Sequence, residues 1–329
     1  LTGRTFNRVT TAFPIVAILA VGQVLVVLTR NIDLSVGSQV GLVAMTLGTI
    51  LRDKGNLPEF MESSLEFPLG PIILIAIGMG LGAILGGING FIVAYGRVPA
   101  IITTLATLAI YRSVLIFVAE ARTITTTGFP DWVVKFAGAN LFEWDSLDFR
   151  VVFILTLVVV AIGQFVLSYL PYGRRLYAIG SNPDAARIAG LPMQRDVFLA
   201  FVGCGAIAGL AGFVFLARFG NITVVAGQGL ELQVVAAVVV GGVHIFGGSG
   251  TMVGAFLGAV LIALLQASLN RWIGVSDFMR DFLLGALILL AVASDKVVMG
   301  RVQAAWVRVR RKDEAAARAK REAEAGDAG

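Results

Sequence analysis

The chain has 329 residues, 57% of them hydrophobic and only 14% charged, with a net charge of +5. Soluble domains carry about a quarter charged residues, so this balance describes an integral membrane protein. The single cysteine, Cys204, excludes an internal disulfide, and the single histidine, His244, argues against a His-rich metal site or a Ser/His/Asp triad. The basic surplus falls in loops and at the C-terminus and reads as a topology signal, not as a nucleic-acid surface.

Residues 1–11 hold Arg4 and Arg8 but no signal-peptide pattern. Apolar runs able to cross about 30 Å of hydrocarbon as helices cover 12–29, 35–51, 71–95, 99–119, 151–170, 197–219, 251–270 and 278–294. A ninth run, 232–246, is short. It ends in Gly241-Gly242, and Phe246-Gly247-Gly248-Ser249-Gly250 follows, so a re-entrant or broken helix is expected there. The predicted fold is all-α, a polytopic transmembrane helix bundle of about nine segments over 1–298. A charged tail, 299–329, follows as a solvated helix or a disordered segment.

Lysine and arginine bias orients the bundle. Arg174, Arg175, Arg187 and Arg195 against Asp184 place the 171–196 loop in the cytoplasm, with the basic tail. The 52–69 and 120–150 loops are acidic, with Asp53, Glu59, Glu62 and Glu66 in the first and Glu120, Asp131, Glu143, Asp145 and Asp148 in the second, and read as external. This threading puts the C-terminus inside and residue 1 outside. An external start suggests that a further helix precedes it.

Two features recur inside the spans. Gly82, Gly86 and Gly90, Gly205 and Gly209, and Gly254 and Gly258 stand at small-xxx-small spacing, which lets helix backbones approach closely. Polar side chains are few and costly in lipid, so they are candidates for a substrate pathway: Gln23, Asn89, Thr104, Arg112, Glu231 and Gln233. Thr103 and Thr107 are weaker candidates, since helical threonines often bond their own preceding turn. Arg112 equally fits a structural pairing with Glu120 or Asp33, and His244 fits a satisfied structural histidine.

The first two spans are joined by Thr29-Arg30-Asn31-Ile32-Asp33-Leu34-Ser35-Val36-Gly37-Ser38, a charged break in hydrocarbon. Asp33 or Ser35 is expected to cap the helix that follows. A hinge between two states is a further possibility, with Arg30 as a nearby charge partner. In the 171–196 loop, Ser181 or Asn182 as N-cap, Pro183 at the first helical position, Asp184 at the positive dipole end and Gly190 as the stop predict a short capped helix. Two turns are marginal alone, so the helix either docks on a partner or is an ordinary surface helix.

Three blocks carry a family resemblance: Ile32 to Ser38, Gly173-Arg174-Arg175 through Gly190, and Gly241-Gly242-Val243-His244-Ile245-Phe246-Gly247-Gly248-Ser249-Gly250-Thr251. In that order and spacing, across nearly the whole chain, they resemble permease subunits of ATP-binding-cassette importers for monosaccharides, the ribose, xylose, rhamnose and autoinducer-2 group. The resemblance implies that Asn182, Pro183, Asp184, Ala185, Ala186, Arg187 and Gly190 form the helix that couples to the ATPase. It also marks Asp33, Leu34, Ser35, Gly37, Gly241, Gly242, Gly247 and Gly248 as family-motif positions and implies one more helix before the first span.

The implied partners are an ABC ATPase subunit, a periplasmic sugar-binding protein, a second permease subunit, the monosaccharide and membrane lipid, in a bacterial inner membrane. No nucleic acid is implied. No metal or cofactor is expected on this chain, and ATP and Mg belong to the partner ATPase. None of the five lysines follows glycine, so Gly-x-x-x-x-Gly-Lys-[Ser/Thr] is absent and the chain is not itself an enzyme. The run 229–237 looks like rhamnose-type permeases. The alternatives are a branched-chain amino-acid permease or an autonomous secondary carrier.

Overall fold

The computed structural model describes residues 10–269, apart from 12, 57, 121, 145 and 146, with a few single positions between 279 and 290. The predicted span 278–294 and the tail 299–329 therefore lie largely outside the described residues. The fold is an all-α membrane bundle: α1 Pro14–Leu28, α2 Val36–Arg52, α3 Glu59–Ser64, α4 Gly70–Ala94, α5 Ala100–Ala119, α6 Asp131–Phe136, α7 Val151–Tyr169, α8 Pro171–Ser181, α9 Pro183–Ile188, α10 Met193–Phe219, α11 Leu230–Val240 and α12 Met252–Leu269. One small antiparallel hairpin, β1 Asn140–Trp144 with β2 Leu147–Arg150, leads into α7.

Four helices, α4, α5, α7 and α10, are long and apolar enough to cross a membrane. Every residue of α1 is buried, as expected of a helix that is apolar all round. It runs through the centre, against α7, α8, α10, α11 and α12, while α2, α4 and α5 gather on the other side of α10. By contrast α5 and α7 turn Ile102, Phe117, Ile162 and Phe165 outward, the surface that hydrocarbon accepts.

The glycine spacing acts as expected. The α4 and α10 backbones meet at Gly78, Gly82 and Gly86 against Gly205 and Gly209, with a tight fit at Gly78 and no room for a Cβ atom at the other four positions. Gly254 and Gly258 on α12 meet Gly241 and Ala237 at the end of α11 in the same way.

Each end of the bundle gathers its own loops. Ile124 pairs with Ile222 across the acidic loops, and the Trp132 indole donates to Leu65 O at 3.0 Å. At the other end the 29–33 bend, the α8–α9 elbow and the 241–250 loop converge.

Two expectations need correction. The stretch 171–182 reads as loop in the sequence, but it forms the 11-residue helix α8. Burial of Gly173, Leu176, Ile179 and Gly180 on one face stabilises it. The short ninth segment breaks at Gly241-Gly242 as expected, but a second irregular run, not expected, precedes its helix. From Ile222 the chain descends in turns through 224–229 alongside α2, where the Gly227 and Ala226 carbonyls abut Gly37 and Gly41. Gly48, about 16 Å further along α2, abuts Ile124 instead. Helix α11 then has only 11 residues, about 16 Å, and ends at the predicted Gly241-Gly242. Non-helical backbone at membrane depth survives only where protein or a water-filled cavity covers it, and here α2 and Arg112 cover it.

Candidate functional site

The α1–α2 bend builds a buried polar cage. Asp33 is fully buried, and its Oδ1 accepts from the Ser35 amide at 2.8 Å and the Ser35 hydroxyl at 2.7 Å. Its Oδ2 accepts from Gln39 Nε2 at 3.2 Å and from Asn89 Nδ2 at 3.4 Å. Gln39 and Asn89 each also donate to Ser35 Oγ at 2.8 Å. Tyr111 on α5 donates to Leu85 O at 2.8 Å and lies 3.3 Å from Asn89 Oδ1. With its amide oriented to match donors to acceptors, Gln23 on the central helix clasps the Asp33 main chain, one bond each way at 3.1 Å. Every donor around the carboxylate is neutral, which satisfies its lone pairs without a counter-ion.

Three of the six pathway candidates thus meet at one place. Gln23 and Asn89 hold Asp33 directly, while the Thr104 hydroxyl sits 2.8 Å from Ala100 O of its own helix and 3.3 Å from Ile32 O. Arg112 and Glu231 meet at the re-entrant run. Arg112 donates to Ala226 O at 2.5 Å and to Val224 O at 3.4 Å, with Glu231 as its nearby charge. Glu231 Oε1 accepts from Gly229 N at 3.1 Å, while Oε2 is buried without a partner against Gly37. Gln233 stands apart, in the wall of a cavity of about 420 Å³ with Arg218, Phe219 and Gln266.

The structure revises several expected pairings. Arg112 bonds backbone carbonyls rather than Glu120 or Asp33, because the turns at 224–229 leave those carbonyls without helical partners. Ser35 opens α2 but makes no cap bond of its own; its hydroxyl donates to Asp33, which holds the Ser35 amide. Arg30 turns away from Asp33 to bond Gly180 O and Ser181 O. Gln39 and Tyr111 escaped the sequence reading, although the rule that selected Asn89, a polar group inside an apolar span, applies equally to both.

At the motif glycines, Gly242, Gly247 and Gly248 take positive φ of 82°, 80° and 79°, backbone that favours glycine. Gly248 N donates to Leu28 O at 3.1 Å. His244 N donates to Ser249 O at 3.0 Å within the same loop.

The predicted short helix is α9, and its caps are as expected. Asn182 is the N-cap and its Oδ1 accepts from Ala185 N at 3.0 Å; Pro183 follows at the first position. Arg187 pairs with Asp184 at 3.0 Å. Gly190 stops the helix at φ 73°, with Leu191 N donating to Ala186 O. Only Ala186 of α9 is buried, and Ile188 is 88% exposed. The base is rigid: Arg175 on α8 binds the fully buried Asp196 through two bonds of 2.6 and 3.0 Å. Those hydrogen bonds push the Arg175 guanidinium above its usual range, and burial followed by the Asp196 charge pushes the Tyr172 hydroxyl up. Between α9 and the α4–α5 turn lies an open cleft bearing Arg97, Arg187 and Arg195.

The Asn182 cap makes a direct prediction. Asn182→Ala is expected to cost about 1 kcal/mol of local helix stability and to speed hydrogen exchange at Ala185 and Ala186 several-fold, with α8 unchanged. Unaltered exchange at both amides would rule out the cap.

A multi-pass bundle with a sealed polar bend at its centre and a capped helix projecting from one end is an integral membrane protein in class. A family described as branched-chain amino acid transport system / permease component matches residues 5–292, and the chain belongs to it. It is 35% identical over 311 residues to the autoinducer 2 import system permease protein LsrC of Enterobacter sp. (strain 638), covering 94% of this chain and 83% of the relative. It is 34% identical over 284 residues to the ribose import permease protein RbsC of Escherichia coli (strain K12), covering 85% and 81%. A probable ABC transporter permease protein, y4mJ, of Sinorhizobium fredii is 33% identical over 296 residues, covering 90% and 82%. No solved structure gives a significant match.

Proposed function

We propose that this chain is the transmembrane subunit of an ATP-binding-cassette importer for a small polyhydroxylated substrate of monosaccharide size, in a bacterial inner membrane. The relatives named for autoinducer 2 and ribose support that class over branched-chain amino acids. The single observation that carries the coupling role is α9, a capped helix that leaves Ile188 88% exposed. A two-turn helix is marginal on its own, so one held out from the bundle with only Ala186 buried suits docking on a partner. Asn182, Pro183, Asp184, Ala185, Ala186, Arg187 and Gly190 form the surface for an ATPase subunit, which binds ATP and Mg. A second permease subunit completes the path, and a periplasmic binding protein delivers the substrate at the acidic end.

No residue does covalent chemistry. Substrate hydroxyls need both donors and acceptors, and Gln23, Asn89, Thr104, Arg112, Glu231 and Gln233 supply both. In the conformation described, Gln23, Asn89 and Thr104 are fully buried, so transport requires the cage to open. Among sugars, the run 229–237 favours a rhamnose-like substrate.

Uptake into proteoliposomes holding the chain, its ATPase and its soluble binding protein tests this reading. ATP-dependent uptake of at least one of ribose, rhamnose and autoinducer 2, needing all three components, is the expected result. Uptake of leucine in place of the sugars would reassign the substrate class. Ionophore-sensitive uptake by the chain alone would make it an autonomous carrier.

A further inference from the structure

We propose that Arg30 is a positioning residue that carries movement of the α8–α9 elbow to the buried Asp33 cage. The inference rests on the docking role of α9 proposed above and adds the connection through which docking reaches the interior.

Arg30 is 150 residues away in sequence from its partners. Its Nε donates to Gly180 O at 2.6 Å and its Nη2 to Ser181 O at 2.9 Å. These carbonyls end α8, at the negative end of its dipole, where helical partners run out. Ser181 immediately precedes Asn182, the cap of α9, so the guanidinium grips the joint between the two helices. To make this contact Arg30 holds φ at 67°, a left-handed backbone that non-glycine residues adopt rarely. Asp33, three residues away, leaves this cation unused and is satisfied by neutral donors instead.

The joint has no slack. Gly248 N donates to Leu28 O at 3.1 Å, and a Cβ on Gly247 would lie 2.7 Å from Arg30 Cγ. One on Gly248 would lie 2.7 Å from Ser181 N, and one on Gly180 would strike Leu28 O. Three backbones thus pack without intervening side chains, so a shift at the end of α8 is passed to Arg30. On its far side the bend is pinned at Asp33, by Gln23 through the main chain and by Ser35, Gln39 and Asn89 through the carboxylate. The span from Arg30 to Asp33 is short, and both its ends are fixed to different helices. Displacing one end loads the other, so the bend is a contiguous packed route between the elbow and the cage. A planar two-donor fork suits this task, and a lysine point charge does not reproduce it.

The test uses the full complex in proteoliposomes with the radiolabelled sugar that the uptake screen selects from ribose, rhamnose and autoinducer 2. The parent, Arg30→Ala and Arg30→Lys are compared for complex yield, basal ATP hydrolysis, and uptake per ATP hydrolysed. For Arg30→Ala, yield and basal hydrolysis stay within about twofold while uptake per ATP falls at least tenfold; Arg30→Lys recovers part of that ratio. A purely structural clamp would lower yield, hydrolysis and uptake together and leave the ratio at the parental value, and that outcome overturns the proposal. Should Arg30→Ala fail to assemble, Arg30→Lys decides: a lowered ratio supports the proposal and an unchanged one overturns it. A parent complex without ATP-dependent uptake defeats the docking reading and this inference with it. A coupled parent with an unaffected Arg30→Ala defeats this inference alone.

Discussion

Gly205→Leu is expected to leave little folded permease. A Cβ on Gly205 strikes the Gly82 carbonyl and lies 2.8 Å from Gly86 Cα and N. The obstacle is backbone on both sides, so no rotamer change relieves it, and α4 and α10 must separate. Overpacking relieved by side-chain shifts costs about 1–3 kcal/mol. Parting the closest helix pair of the bundle should exceed about 4 kcal/mol, the range reserved for the severest single substitutions. That corresponds to a fall of roughly 10 °C or more in apparent melting temperature, or to loss of the monodisperse peak in detergent. Gly80→Ala on the same helix is the control. Nothing lies within 4 Å of its Cβ position, so helix propensity alone predicts a gain of up to about 1 kcal/mol. A Gly205→Leu protein melting within about 2 °C of its parent would show that the contact does not set the fold's stability.

The second large effect is at Asp33. Asp33→Ala removes the acceptor for the Ser35 amide, the Ser35 hydroxyl and the Gln39 amide at a fully buried position. Each buried group left unpaired costs about 1–3 kcal/mol, so a loss of at least about 3 kcal/mol is expected, read as a melting shift of several degrees. Asp33→Asn keeps the shape but turns one oxygen into a donor facing Gln39 and Asn89, both of which already donate. Asn89 can flip to face the new donor only by taking its Nδ2 away from Ser35 Oγ. Uptake by the reconstituted complex should fall roughly tenfold, as expected for about 1.4 kcal/mol of misfit. Parental uptake and ATPase coupling in Asp33→Asn would remove any transport role from this bend.

Much of the fold was legible because the membrane imposes simple rules. Span lengths follow bilayer thickness, and the glycine spacing marked α4 and α10 as close-packing helices without saying that they meet. Capping chemistry is local, so Asn182, Pro183 and Gly190 could be assigned from a dozen residues. The cage was not legible as a unit, since Asp33, Asn89 and Tyr111 come from the α1–α2 bend, α4 and α5, and nothing in the sequence states that these touch. Arg30 was misassigned for the same reason: proximity in sequence suggested Asp33, while the carbonyls it binds lie 150 residues on. The break after the short ninth helix was legible from Gly241-Gly242, while the irregular run before it, at Gly227 and Gly229, was not. The helical nature of 171–181 was hidden by its arginines and glycines, which resemble a loop until the buried face of α8 is seen.

The burial of α1 also bears on the order in which the molecule assembles. A helix that ends with no lipid contact must first enter the bilayer surrounded by lipid, before the later helices that enclose it have been synthesised. Its all-round apolar surface makes that wait tolerable, and Gln23 is its one strongly polar side chain. The partner of Gln23 is the Asp33 main chain, ten residues downstream, so α1 and the following bend form a unit that satisfies itself as soon as it emerges. The biogenesis of this permease can therefore use α1 and its bend as a self-satisfied unit, inserted before the later helices that enclose it.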